Sequence, residues 1–260
     1  MKLRAIYRRE SPEKYKLKIS YDKSGKKRPA WIKILGLPEG TRFISVHHGK
    51  KGKEGMRVEV YQTYLPSGLF LPIYYTHEEM SKFYDEWSSG YDKEFTVYNT
   101  SNIEAAKFFA NRVKKHIKRG EMLDLGAGTG LMTEIFVKQG FYPATLVDYS
   151  KGMLEKAKKK DVLRKCTFIH EDIRKLRLKK KFDLVLSFFS LGSSSYFRAN
   201  ELDEILKKVS SFLKKDGVIA VFGYSSNINL EDYFKTLEKG IYTMNKKEEL
   251  YTDYYIGRKK

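Results

Sequence analysis

A single cysteine, Cys166, among 260 residues leaves the chain no intramolecular disulfide and no multi-cysteine metal centre. Long apolar runs are missing too. Nothing approaches the 18 consecutive apolar residues of a membrane-spanning helix, and no apolar stretch follows the opening MKLRAIYRRES as a secretory signal would require. These absences predict a soluble cytoplasmic protein with no membrane partner. Glutamine occurs only at positions 62 and 139, a scarcity that beside abundant lysine fits the composition of heat-loving organisms. Such organisms enrich glutamate with lysine, however, and here acidic residues are in short supply. Lys and Arg number 51 against 32 Asp and Glu, a formal charge of +19 that favours anionic small molecules and polyanions. What is plentiful is core material: 41% hydrophobic and 14% aromatic residues exclude a disordered chain.

The charge is uneven. Residues 1–76 hold 17 Lys/Arg and 6 Asp/Glu, a net of +11, whereas residues 77–260 hold 34 and 26, a net of +8. The first segment alternates with period two in YKLKIS (15–20), AWIKIL (30–35), RFISVHH (42–48) and MRVEVYQTY (56–64), with turn-forming DKSGKK, LPEG, HGKKGKEG and LPSG as separators. The pattern predicts a small basic antiparallel β-domain over 1–76. Two roles suit it: a cover over a site in the rest of the chain, or a docking surface for RNA.

From residue 77 the rhythm becomes helical. Met80, Phe83, Tyr84 and Trp87 lie at i, i+3, i+4 and i+7. A second helix is predicted from Ser101, with Glu104 completing a capping box, to a stop at Gly120. Strand and helix then alternate: EMLDLGAG, TGLMTEIFVKQ, ATLVD, a helix capped by Ser150, CTFIHED, FDLVLSFF, a helix through Leu202–Leu213, and VIAVFGY. Strands apolar almost throughout are those of a parallel sheet covered on both faces. The reading over 77–260 is therefore an α/β, doubly wound, mostly parallel sheet, with a tail of one helix from Asn229 and two short strands near 241–244 and 251–256.

Doubly wound sheets bind ligands beyond the carboxyl ends of their strands. The first such turn, LDLGAGTG (123–130), spaces Gly126, Gly128 and Gly130 as GxGxG, and Leu131 stands where the dinucleotide fingerprint needs its third glycine. Asp124 would repel a pyrophosphate but can accept hydrogen bonds from an ammonium group, which points to an amino-acid ligand. The stretch resembles the first motif of class I S-adenosylmethionine-dependent methyltransferases, and further motifs follow in order over roughly residues 80–225, so that a seven-stranded methyltransferase sheet is expected.

The resemblance implies S-adenosylmethionine as cofactor and S-adenosylhomocysteine as product. It implies that Asp124 orients the methionine end, where the backbone of Gly126, Ala127, Gly128 and Gly130 passes close to the ligand. Asp148, 24 residues on, would bind both ribose hydroxyls and Tyr149 would pack on the adenine. Asp172 would accept from the adenine amino group and Ile173 would offer its N–H to the ring. Ser187 and Phe188 would line the methyl-transfer site. FYDEWSSGYDKEF (83–95) resembles the entry segment of small-molecule methyltransferases; Tyr84 lies on the apolar stripe, which leaves Tyr91 as the lid contact. The loop LGSSSYF (191–197) would shape the acceptor pocket. One departure, Lys215-Asp216 in place of Pro-Gly before the fifth strand, concerns a turn.

No catalytic residue is assigned, because the sulfonium supplies the electrophile and the protein has to position it. The Asp/Asn-Pro-Pro-aromatic motif of amino N-methyltransferases is absent after strand four. Cys166 opens the third strand, far from that edge, and reads as a small buried hydrophobe. No histidine cluster marks a metal site: His47 and His48 face opposite ways, His77 and His116 read as surface helix residues, and His170 reads either as a general base or as an adenine-edge lining. Two functions follow: methyl transfer to an oxygen or nitrogen of a small-molecule acceptor, or methylation of RNA (tRNA) docked on residues 1–76.

Overall fold

The computed structural model describes residues 42–48, 57–62, 70–74, 77–93, 100–191, 197, 199–224, 229–245 and 250–260. The chain divides into two compact units, residues 1–87 with 195–198 and residues 88–194 with 199–260. In the first, β1 (Arg42–His48), β2 (Arg57–Gln62) and β3 (Phe70–Tyr74) form an antiparallel sheet in that order, and α1 (His77–Trp87) follows. The first two strands fall where alternation places them. The third was hidden by Pro72, which β3, an outer strand among the described residues, tolerates because one side of such a strand needs no ladder donors. The strands read at 15–20 and 30–35 lie outside the described residues. In α1 the Tyr84 and Trp87 rings stack at 5.8 Å.

The second unit is built on α2 (Thr100–His116), β4 (Met122–Leu125), α3 (Leu131–Lys138), β5 (Ala144–Asp148), α4 (Lys151–Lys158), β6 (Thr167–His170), β7 (Phe182–Phe188), α5 (Ala199–Phe212), β8 (Leu213–Tyr224), β9 (Phe234–Asn245) and β10 (Leu250–Lys259). Its seven strands run in the order β6-β5-β4-β7-β8-β10-β9. The first five are parallel, and β10 pairs antiparallel with both β8 and β9. This is the doubly wound, mostly parallel sheet that the apolar strands predict. All four residues of β4 are buried, and Ala105, Ala106, Phe109, Ala110 and Val113 of α2 are wholly shielded in the core. Ser150 caps α4 as expected, its Oγ accepting from the Met153 N–H at 3.1 Å.

Three boundaries differ from the sequence reading. Helix α2 starts at Thr100, one residue before the predicted cap. Strand β8 starts at Leu213, directly after α5, and a register shift against β7 between Phe182 and Leu184 absorbs the Lys215-Asp216 turn. The tail is the largest correction. The helix expected from Asn229 is a single 3₁₀ turn, Leu230–Asp232, and Phe234 already begins a 12-residue strand. Leu230, Phe234 and Leu237 suit a helix stripe, but ten backbone pairs to β10 outweigh that local preference.

His116 is likewise not a simple surface residue. Arg112, His116 and the Tyr254 hydroxyl all hydrogen-bond Glu238 of β9, His116 at 2.9 Å and Tyr254 at 2.9 Å, which ties α2 to the antiparallel edge of the sheet. Burial raises the Glu238 carboxyl, but the bonds from His116, Arg112 and Tyr254 outweigh it and hold the group below the usual carboxylate range. Its stabilising effect is thus present at neutral pH and lost as acid protonates it. Glu238→Gln is expected to lower the thermal midpoint at pH 7 by about 3–6 °C. The difference from wild type should shrink toward pH 3, as read in calorimetric scans at the two pH values.

Candidate functional site

The chain leaves β4 for β5 and β6 on one side, then returns to β7 on the other. The switch point is therefore the crevice between the carboxyl ends of β4 and β7. The turn after β4 is fastened to β5: the N–H groups of Gly126 and Ala127 both donate to Val147 O, at 2.8 and 3.0 Å. Gly126, Gly128 and Gly130 have φ of 75°, 55° and 71°, the left-handed region that favours glycine. Their surroundings differ. A Cβ at Gly130 would collide with Leu163, whereas one at Gly128 would meet nothing within 4 Å, so the middle of the turn opens onto free space. The turn is thus a cradle of backbone at the switch point.

Two carboxylates bracket it. Asp124 is 1% exposed, and Thr133 Oγ1 donates to its Oδ2 at 2.6 Å. Among the described residues no cationic side chain pairs with it, and burial lifts its carboxyl to about 7. A buried carboxylate lacking a cation matches an incoming ammonium group. Asp148, at the end of β5, is held by two backbone donors, Gly128 N–H on Oδ2 at 2.7 Å and Ser150 N–H on Oδ1 at 2.8 Å. A carboxylate offers two acceptor oxygens side by side, the pattern that a vicinal diol donates to. The residues present thus fit a ligand with an ammonium group at one end and a ribose at the other.

The remaining predicted residues separate into two groups. Tyr149, half-buried, stacks against His170 at 6.5 Å, and His170 Nε2 lies 3.0 Å from Tyr149 O, so that the histidine braces the tyrosine. Ile173 is buried. Asp172 is buried as well, but its carboxylate faces Arg174. That residue donates its backbone N–H (2.8 Å), Nε and Nη2 (2.6 Å) to it and extends Nη1 to Glu201 at 3.0 Å. Arg174 thus engages both oxygens of the Asp172 carboxylate. Ser187 is fully shielded, its Oγ accepting from the Leu191 N–H at 2.7 Å, so the hydroxyl closes the turn after β7. Residues 192–196 of the acceptor loop lie outside the described residues. Burial raises the Cys166 thiol, as suits a packing residue.

Sequence reasoning missed how the entry segment is attached. Tyr91 belongs to a short helical turn, and its neighbour Asp92 accepts from Thr129 Oγ1, inside the glycine turn, and from Lys160 Nζ at 2.7 Å. Thr129 and Lys160 carry no signal of this in the sequence, because they meet Asp92 only through the fold. Asp92→Ala is expected to speed amide exchange at residues 91–93 several-fold and to weaken cofactor affinity about three- to tenfold. Exchange mass spectrometry with a binding titration checks both. Unchanged exchange would show that the segment is held by other contacts.

Residues 122–217 match the family model described as a methyltransferase domain. Over 119 residues the chain is 29% identical to the malonyl-[acyl-carrier protein] O-methyltransferase of Bacillus cereus, covering 44% of this chain and 42% of that protein. It is 33% identical over 136 residues to the enzyme of the same name from Priestia megaterium (50% and 48%) and 29% identical over 155 residues to the ubiquinone biosynthesis O-methyltransferase of Pelagibacter ubique (55% and 62%). The matched region thus spans less than half the length of the first two relatives. Among solved structures, the 1,6-didemethyltoxoflavin-N1-methyltransferase of Burkholderia thailandensis shares the fold with a TM-score of 0.56 at 16% identity, covering 83% of this chain and 99% of that one. The magnesium protoporphyrin IX methyltransferase of Synechocystis PCC 6803 does so with a TM-score of 0.56 at 14% identity (71% and 99%). The sheet order and these matches agree: residues 122–217 form a methyltransferase domain, carried on the sheet that these solved methyltransferases share.

Proposed function

We propose that the protein transfers a methyl group from S-adenosylmethionine to an oxygen or nitrogen of a small-molecule acceptor. The observation that carries this reading is the open glycine cradle with Asp124 at one end and Asp148 at the other. Bound there, S-adenosylmethionine supplies an electrophilic sulfonium methyl group and departs as S-adenosylhomocysteine. The chain's own part is positional. Asp148 fixes the ribose, Asp124 holds the ammonium group, Tyr149 offers a face to the adenine, and the turn presents the sulfonium at the β4–β7 crevice.

The relatives named for malonyl-[acyl-carrier protein], ubiquinone and demethylmenaquinone support a small or carrier-borne acceptor. The charge of +11 on residues 1–76 supports the alternative, RNA docking. The test is transfer of labelled methyl from S-adenosylmethionine into a cell extract, separated into small-molecule, protein and nucleic-acid fractions. Label in the small-molecule fraction, or in a base-labile ester on a carrier protein, is the expected result. Label confined to RNA would replace this reading with the alternative.

A further inference from the structure

The β4–β7 crevice has two walls. One is the glycine turn; the other is the chain leaving β7, where the backbone is bent out of the ordinary. Phe189 has φ 55°, a left-handed conformation that a bulky residue adopts only when its surroundings impose it. Four contacts do so. Its N–H donates to Phe222 O at 2.8 Å, its ring stands edge-on to Phe188 (4.9 Å) and to Phe222 (5.5 Å), and it covers Gly223, where a Cβ would overlap the ring. Strain held in this way at the mouth of a site points to a use for the residue it turns.

That residue is Ser190. The bend lays it across the glycine turn so closely that a Cβ at Gly126 would overlap its Oγ and Cβ. Ser187, three residues earlier, spends its hydroxyl on the Leu191 N–H, whereas Ser190 makes no hydrogen bond among the described residues. An uncommitted hydroxyl therefore stands at the switch point. It is also placed at one end of the ligand path: Asp148 marks the ribose end, while Gly126 lies two residues after Asp124, at the end that receives the ammonium group.

We propose that Ser190 is a cofactor-binding residue whose hydroxyl hydrogen-bonds the amino-acid end of S-adenosylmethionine. A hydroxyl can accept from the ammonium group and donate to the carboxylate, so it complements Asp124, which can only accept when ionised. The inference rests on the cofactor reading above. It is tested by titration calorimetry of wild type and Ser190→Ala with two ligands: S-adenosylhomocysteine, and methylthioadenosine, which lacks the amino-acid end. Ser190→Ala is expected to bind S-adenosylhomocysteine about tenfold more weakly and methylthioadenosine as wild type does. Equal affinity for S-adenosylhomocysteine, or an equal loss for both ligands, overturns the assignment. Failure of wild type to bind either ligand would instead remove the cofactor reading, and this inference with it.

Discussion

Asp148→Ala is expected to reduce affinity for S-adenosylhomocysteine by about two orders of magnitude while leaving the fold intact. Two hydrogen bonds from a diol to one carboxylate are charge-assisted, and each contributes roughly 1.5 kcal/mol or more, so that losing both costs about 3 kcal/mol. That is about a hundredfold in affinity. The carboxylate is pre-aimed, since Gly128 N–H and Ser150 N–H hold one oxygen each. Little ordering remains to be done on binding, which makes the loss larger than at a floppy side chain. The same two bonds give a structural effect to separate from it. In the alanine variant both N–H groups lose their acceptor, but Gly128 borders open space and water can replace the carboxylate there. The thermal midpoint should move by only a few degrees. Asp148→Asn, which keeps one acceptor oxygen, should lie between, at roughly tenfold. Calorimetry with S-adenosylhomocysteine decides. Undiminished affinity in both variants would mean that Asp148 only fastens the turn, and the ribose contact would have to be sought elsewhere.

How much of this could be read before the fold was known differs from residue to residue. The parallel strands were legible because burial on both faces leaves a continuous apolar run, as in FDLVLSF, and a turn with left-handed glycines leaves its spacing in the sequence. Asp124 and Asp148 were legible because each stands at a fixed place relative to a strand end. The β9 strand was not: its pairing with β10 is made by backbone groups, and Leu230, Phe234 and Leu237 fit a helix stripe equally well. The Asp92 contacts with Thr129 and Lys160 join segments 37 and 68 residues apart, and no local pattern encodes them. Ser187 and Ser190 illustrate the limit most closely. Ser187 lies near the end of β7 and Ser190 just beyond it, and the left-handed Phe189 between them turns the second hydroxyl away from the shielded position of the first. Asp172 shows the reverse case, a residue in the expected place whose carboxylate is taken up by Arg174 from two positions away.

Asp124 lets the stability and the function of the site be measured against each other. Burial raises its carboxyl to about 7, the Thr133 bond lowers it in part, and the charge of Asp148 adds to the rise. In the unfolded chain an aspartate titrates near 3.9. Between these values the folded protein holds the proton and the unfolded chain does not, so stability declines as pH rises from about 4 to about 7 and then levels off. A shift of about three units corresponds to roughly 4 kcal/mol at most. Asp124→Asn mimics the protonated form and does not titrate. It is expected to match wild type within about 1 kcal/mol near pH 4 and to exceed it by about 2–4 kcal/mol at pH 8. Urea unfolding at the two pH values reads the difference, and parallel behaviour of the two proteins would remove the buried-charge account. The ligand should act in the opposite direction. An ammonium group at Asp124 favours the ionised carboxylate, so binding of S-adenosylhomocysteine near pH 6 should release a proton, and affinity should climb with pH until the free carboxyl is ionised. Titrations in buffers of different ionisation enthalpy count that proton directly. The asparagine variant, more stable and unable to ionise, should release none at this residue and bind at least tenfold more weakly. A stabilised protein that still binds normally would separate the buried charge from cofactor recognition. A stabilised protein that binds poorly would identify Asp124 as a group whose cost to the fold is retained for the ammonium contact.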